Sequence, residues 1–190
     1  MKKTSIGVIV VLVIAILIGF SAVGSRNTLV TMSEDVNLAA SQVQTQLQRR
    51  SDLIPNFVAT VKGYAAHEEG VYTAIADARA KLSGAIEDGD VSAMNEANKE
   101  LDSALSRLLV VVENYPELKA NQNFIALQDE LAGTENRINK ARQDYNDVVA
   151  EYNKAIKVFP KSIIADMCGL EAAEYFEADE GAQNAPIVEF

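Results

Sequence analysis

Apolar residues recur at alternating steps of three and four along most of the chain after residue 26. The longest stripe of this kind comprises Phe124, Leu127, Leu131, Thr134, Ile138, Ala141, Tyr145, Val148, Tyr152, Ala155 and Phe159. Such spacing lays one face along a single helix of about 60 Å, which ends at Pro160. A stripe of this length is buried only if other helices lie beside it, so the heptad pattern predicts a coiled-coil-like helical bundle.

Breaks in the pattern divide residues 27–160 into four predicted helices, at about 27–50, 53–86, 91–114 and 118–159. Ser51 or Asp52 is expected to cap the second helix, with Pro55 in its first turn. Gly89 then ends that helix, and Pro116 closes the third. Because the turns are short, neighbouring helices are antiparallel, and the predicted fold is an all-α, long antiparallel four-helix bundle. Residues 161–190 are predicted to form a short helix and then an extended or disordered acidic tail.

An uncharged apolar run from residue 6 to residue 23 precedes the bundle, after a short tail at 1–5 that carries Lys2 and Lys3. As a helix this run is about 27 Å long, close to the thickness of a bilayer's hydrocarbon core. The run therefore predicts a single transmembrane helix, although Ala22-Val23-Gly24 also fits a signal-peptidase site, and cleavage stays open. The lysines before the run predict a cytoplasmic N-terminus, an inner-membrane anchor and an exported bundle, since only Arg26 follows closely.

Charge and chemistry narrow the function further. The formal net charge is −10, with six acidic residues among the last twenty positions and no base there. No basic stripe exists to neutralise phosphates, so a nucleic-acid partner is not expected. The single histidine, His67, cannot supply the paired ligands of a di-iron or zinc-protease site, and the single cysteine, Cys168, is predicted to be buried. The sequence thus predicts no catalytic residues, no metal and no cofactor, and hence no enzyme.

Polar residues beside the apolar stripe are the candidate contact residues. Two interpretations stand beside each other: hydrogen bonds and ion pairs between helices that fix their register, or a polar groove for a ligand or a partner. A Tyr-Asn pair at residues 145 and 146 returns seven residues later at 152 and 153, and it is interpreted as a packing register in which the amides bridge to a neighbouring helix. The candidates are Arg49, Arg50, Asp52, Arg79, Thr134, Glu135, Asn136, Arg137, Arg142, Asn146 and Asn153.

The chain ends in Val188-Glu189-Phe190, which has the form of a C-terminus that peptide-binding domains capture. Capture through Val188 and Phe190 is therefore one candidate mode of partner binding, beside simple packing or disorder of the tail.

Four stretches together resemble the LemA family. They are QVQTQLQRRSDLIPNFVATVKGYAAHE (42–68), ENYPELKANQNFIALQDELAGTENRI (113–138), ARQDYNDVVAEYNKAIKVFP (141–160) and YFEADEGAQNAPIVEF (175–190). The resemblance covers nearly the whole chain, with one departure at Ala40 and Ser41, where a large residue such as Trp is typical of the family.

This resemblance implies a single-pass bacterial membrane protein that carries a long antiparallel bundle and has no established enzymatic activity. It also implies links with membrane proteases and other envelope proteins. The first functional hypothesis is accordingly a membrane-anchored interaction or scaffolding module. The second is a ligand-binding or sensor domain that uses the polar cluster around Arg137, Arg142 and Asn146.

Overall fold

The computed structural model describes residues 2–177, with side chains from Gly7 onward, and confirms the all-α prediction. The described chain contains no strand and forms six helices, which are α1 (Lys2–Lys62), α2 (Glu69–Asp88), α3 (Val91–Val112), α4 (Pro116–Lys119), α5 (Gln122–Lys157) and α6 (Lys161–Cys168). The described residues of these helices and of the segment after them form two compact units: Ala39–Asn146 with residues 174–177 is the larger, and residues 2–38 with Asp147–Ala173 is the smaller.

In the larger unit, α1 and α5 run antiparallel and α2 and α3 form a hairpin. The stacked rings of Phe57 and Phe124, 5.2 Å apart, and the pair Arg49–Glu130 show the direction, because residue numbers rise along α1 as they fall along α5. Gly89 ends α2 with φ +70°, a backbone conformation that favours glycine. The side chain of Asp90 then caps α3 by accepting the Ala93 N–H at 2.9 Å.

The smaller unit groups the N-terminal part of α1 with the C-terminal end of α5 and with α6. The buried apolar residues here include Leu29, Val36, Val149, Ile156 and Ala165. Tyr152 of α5 lies close to Ser33 of α1, which sets the level at which the two helices meet in this unit.

The turn predicted between Ser51 and Pro55 is wrong, because α1 continues through this segment to Lys62. A proline inside a helix has no N–H to donate to the carbonyl four residues earlier, here that of Ser51. In this structure Arg79 of α2 supplies the missing donor, and its Nε lies 2.9 Å from the Ser51 carbonyl oxygen. The helix therefore passes Pro55 without leaving that buried carbonyl unpaired, and the turn comes after Lys62, where His67 is exposed.

The stripe predicted along α5 is correct at Tyr145 and Tyr152 and shifted by one residue beside them. Val149 and Ile156 are buried where Val148 and Ala155 were expected, and Phe159 is 76% exposed. A straight helix drifts by about 20° per heptad against a strict seven-residue repeat, so between Val149 and Ile156 the drift from Phe124 is about 70–90°, close to the angle of one residue.

The C-terminal region also differs in detail from the expectation. The short helix predicted after Lys161 is present as α6, but Cys168 at its end is exposed and not buried. An extended segment, residues 171–177, follows α6. The rest of the predicted acidic tail, including Val188 and Phe190, lies outside the described residues.

Candidate functional site: two tyrosine-asparagine pairs on helix α5

In the smaller unit, one Tyr-Asn pair holds the backbone of the extended segment. The Tyr152 hydroxyl donates to the Glu171 carbonyl at 2.9 Å. Asn153 makes two bonds of 2.8 Å with a single residue, because its Nδ2 donates to the Ala173 carbonyl and its Oδ1 accepts the Ala173 N–H. An amide side chain is the one kind that offers a donor and an acceptor side by side in this way.

In the larger unit, the other Tyr-Asn pair makes the same contacts with the next part of the segment. The Tyr145 hydroxyl donates to the Glu174 carbonyl at 2.9 Å, and Asn146 pairs with both the carbonyl and the N–H of Phe176, at 2.8 and 2.9 Å. The Phe176 ring packs edge-on against Tyr145 with centroids 5.1 Å apart, and the Arg142 guanidinium lies 5.4 Å from the ring centroid. Phe176 is the one buried side chain of the segment.

Chain geometry explains why the pairs recur every seven residues. The two Tyr-Asn pairs are seven residues apart along α5. The backbone groups that they bond are three residues apart along the segment, at Glu171 and Glu174 for the tyrosines and at Ala173 and Phe176 for the asparagines. Seven residues of helix rise about 10.5 Å, and three residues of extended chain span about 9–10 Å. A seven-residue repeat on a helix therefore matches a three-residue repeat of extended backbone.

The tyrosines reach the segment in surroundings that favour their neutral form. Burial raises the pKa of Tyr145 above its ordinary value of 10.0, and the charge of Glu174 raises it further. Burial also raises the pKa of Tyr152, against the opposing effect of its hydrogen bond with Ser33. Both hydroxyls thus keep the proton that they donate to the segment's carbonyls.

A second polar group in the larger unit surrounds Arg50, whose side chain is 7% exposed. Its guanidinium pairs with Asp102 of α3, hydrogen-bonds Asn98 at 2.8 Å, and lies 2.7 Å from Glu135 of α5 without hydrogen-bond alignment. The group joins α1, α3 and α5 through one buried cation that faces two carboxylates. Sequence reasoning missed Asn98 and Asp102, although their i, i+4 spacing on α3 places both on one face.

Comparisons with known proteins place this arrangement in a family. The LemA family model matches residues 39–190, which include both Tyr-Asn pairs and the extended segment. The chain belongs to the LemA family. The magnetosome protein MamQ 1 of Paramagnetospirillum magneticum is 30% identical, in an alignment that covers 85% of this chain and 68% of the relative.

Two further relatives of this LemA-family chain are more distant. MamQ of Magnetospirillum gryphiswaldense is 28% identical, with 85% of this chain and 68% of that protein covered. The protein LemA of Metamycoplasma hominis is 27% identical over 161 residues, with coverage of 85% and 73%.

The other candidate polar residues of this LemA-family bundle fall into separate local groups. Arg49 and Arg137 share Glu130 at 2.7 and 2.9 Å, and Arg137 also bonds Thr134 at 3.1 Å. Asp52 accepts a bond from Gln48 within α1, and Arg79 holds the Ser51 carbonyl. Asn136 is exposed on α5 and belongs to none of these groups.

The Tyr-Asn pairs correct one detail of the sequence interpretation. Asn146 and Asn153 were expected to bridge to a neighbouring helix, but each bonds the backbone of the extended segment instead. The role of a register is kept, since the pairs align the segment with α5. Because these side chains bond backbone N–H and C=O groups, this site can hold a chain in an extended conformation.

Proposed function

We propose that this LemA-family protein is a membrane-anchored scaffold of the bacterial envelope, which presents its helical bundle to a protein partner and catalyses no reaction. The observation that carries the proposal is the continuity of α1. This single helix of 61 residues contains both the apolar run and the first helix of the bundle. At about 1.5 Å per residue it is about 90 Å long, and no loop separates the anchor from the bundle.

Anchoring is supported by the N-terminal part of α1. An 18-residue window near the start of Gly7–Lys62 has a mean hydropathy of 2.8, and none of it is buried in the structure. A helix that is apolar all round and unburied matches the surroundings of lipid chains. We propose that the segment is retained as a single span in the inner membrane.

The proposed orientation places the N-terminus in the cytoplasm and the bundle outside. Lys2 and Lys3 precede the apolar run, and Arg26 is the nearest base after it. Protease added to spheroplasts is expected to digest the bundle while a cytoplasmic marker protein survives. Complete protection of the bundle in intact spheroplasts, with digestion after lysis, would reverse the orientation.

A structural role is also supported by the relatives, two of which are named as magnetosome proteins. We transfer only this class of role to the present chain. The polar groups of the bundle fit it as well, because the buried cation Arg50 and the Tyr-Asn pairs bond to other parts of the same chain.

Site-specific photo-cross-linking in native membranes tests the scaffold proposal. Val110 on α3 is suited to carry the cross-linker, because it is a large apolar residue that is 69% exposed. Asn136, exposed on α5, is the matched control position. A discrete adduct is expected from the cross-linker at Val110 and not from the control position Asn136. Diffuse adducts of equal intensity from both positions, tracking protein abundance, would contradict a defined partner.

A second candidate, a ligand-binding or sensor domain, is favoured by one cavity. A cleft of about 260 Å³ in the larger unit is lined by apolar side chains together with Arg50, Asp102 and Glu135. The cluster first considered, around Arg137, Arg142 and Asn146, is less suited to a ligand, because Asn146 already binds Phe176. Thermal-shift screening of the protein against cationic metabolites and metals tests this candidate, and the absence of any stabilising compound would count against it.

A further inference from the structure

Four large apolar side chains are exposed within ten residues around the turn between α5 and α6. The exposed fractions are 51% for Val158, 76% for Phe159, 52% for Ile163 and 79% for Met167. Ile163 and Met167 lie one turn apart and share a face of α6, while Ala165 is 1% exposed and faces the unit's interior. An amphipathic helix next to an exposed aromatic ring is an apolar surface that water alone solvates poorly.

The level of this surface along α1 follows from the packing of the smaller unit. Tyr152 meets Ser33, and α5 runs antiparallel to α1. Helix α5 ends at Lys157, five residues after Tyr152, and this end corresponds to Thr28, five residues before Ser33 on α1. Thr28 follows Val23, the last residue of the apolar run, by five residues or about 7.5 Å.

This level coincides with the headgroup region of a bilayer. The polar layers add roughly 5–8 Å on each side of the hydrocarbon core, as total and core thicknesses of about 40–45 and 30 Å imply. The end of α5 thus falls within the layer where aromatic side chains and amphipathic helices insert, and the turn that carries Phe159 starts there.

The charge around the surface is opposite to that of the chain as a whole. Between residues 154 and 168 there are three lysines, Lys154, Lys157 and Lys161, against the single acid Asp166, and Arg26 is two residues from Thr28 on α1. In a protein of net charge −10 this end is locally basic. Lysines beside an exposed apolar face complement anionic headgroups.

We propose that the α5–α6 turn and the exposed face of α6 lie in the headgroup layer of the bilayer that holds the N-terminal anchor, with a preference for anionic lipid. The inference rests on the proposed membrane anchoring and adds a second contact. The smaller unit would then touch the bilayer at the end of α5 as well as through α1, which fixes its tilt against the membrane.

Cys168 provides the test, because it is the only cysteine, is exposed and follows Met167 directly. Full-length protein labelled there with an environment-sensitive fluorophore is reconstituted in vesicles of phosphatidylcholine with and without phosphatidylglycerol. We expect a blue-shifted emission that is quenched more by a spin label near the lipid headgroup than by one at the end of the acyl chain. The quenching should increase with phosphatidylglycerol and be largely lost in Phe159→Ser/Ile163→Gln/Met167→Gln.

Two controls keep the outcomes separate. Cys168→Ser/Ala66→Cys carries the label in the turn after α1 and should remain unquenched. The triple variant removes only exposed side chains, so its thermal unfolding in detergent should match that of the parent protein.

Absence of quenching in protein that floats with the vesicles after an alkaline wash would overturn the headgroup contact and leave the anchor intact. Failure to float would overturn both. A blue shift without lipid quenching that disappears on dilution would assign the surface to contact between protein copies, and would likewise overturn the proposal.

Discussion

Replacing Asn153 by alanine removes two hydrogen bonds from the extended segment at one residue. Six such side-chain bonds hold residues 171–176. At a net value of about 1 kcal/mol each, with about 2 kcal/mol for burying Phe176, they supply roughly 8 kcal/mol. Ordering six residues costs roughly 6–12 kcal/mol, so the segment is docked with little margin. Loss of about 2 kcal/mol at Asn153 should therefore release it locally.

Hydrogen exchange at the Ala173 amide measures this release directly, because that N–H donates to Asn153 Oδ1. A loss of about 2 kcal/mol predicts exchange about 30-fold faster in Asn153→Ala. Asn153→Asp should behave similarly, since a carboxylate keeps the acceptor but has no donor for the Ala173 carbonyl. Asn136→Ala, on an exposed part of the same helix, should leave the rate unchanged. A change of less than about 3-fold in both Asn153 variants would refute the assigned pairing.

Four further predictions concern the free energy of unfolding of the full-length protein in detergent micelles, followed by far-ultraviolet circular dichroism. Arg50→Ala should lower the free energy of unfolding by about 3 kcal/mol, the low end for a broken buried ion pair, because its two carboxylates are one-third exposed. Arg49→Ala, at an exposed pair, should lower it by less than about 1 kcal/mol. Equal losses in the two variants would contradict the assigned burial of Arg50. Arg79→Met should lower the free energy of unfolding by about 1–3 kcal/mol, because it leaves the buried Ser51 carbonyl without a donor. In a Pro55→Ala background the loss should be much smaller, because the backbone N–H of residue 55 then donates to that carbonyl. Additive effects of the two substitutions would contradict this coupling. Tyr145→Ala should cost about 3 kcal/mol, and a loss below about 0.5 kcal/mol would contradict its place in the core. Burial also raises the pKa of Tyr145, so the folded protein holds the phenolic proton more tightly than the unfolded chain does. The stability that this group contributes is complete below pH 10 and is lost as the pH rises through the raised pKa. Tyr145→Phe should reduce this loss of stability at high pH.

The end of α2 and the positions of α3 and α5 follow well from the sequence, because apolar periodicity, Gly89 and the prolines are local signals, whereas α2 starts 16 residues later than predicted. Tyr145 and Tyr152 were identified as core residues for the same reason, and both are buried. The one-residue shift toward the end of α5 also has a local cause, since the drift of a straight helix against a seven-residue repeat is known in advance.

The errors occur where the partner of a residue lies far away in the chain. The sequence shows that Pro55 lacks a backbone N–H, which predicts the start of a helix at this residue. It does not show the compensating donor, Arg79, which comes 24 residues later. The amides of Asn146 and Asn153 bond to backbone groups 20 to 30 residues away, and backbone groups have no sequence signature. The match between a seven-residue helical step and a three-residue extended step is the signal that would have indicated their partner.

The adduct pattern of a photo-cross-linker at Val110 in native membranes, compared with and without a flexible Gly-Ser insert after Gly24, tests the scaffold proposal most directly. The insert breaks the continuity of α1 between the apolar run and the bundle without changing any bundle residue. A discrete adduct in the intact protein that becomes weak or diffuse with the insert is the predicted result. An identical pattern in both proteins, whether discrete or diffuse, would contradict the claim that one continuous helix positions the bundle for its partner.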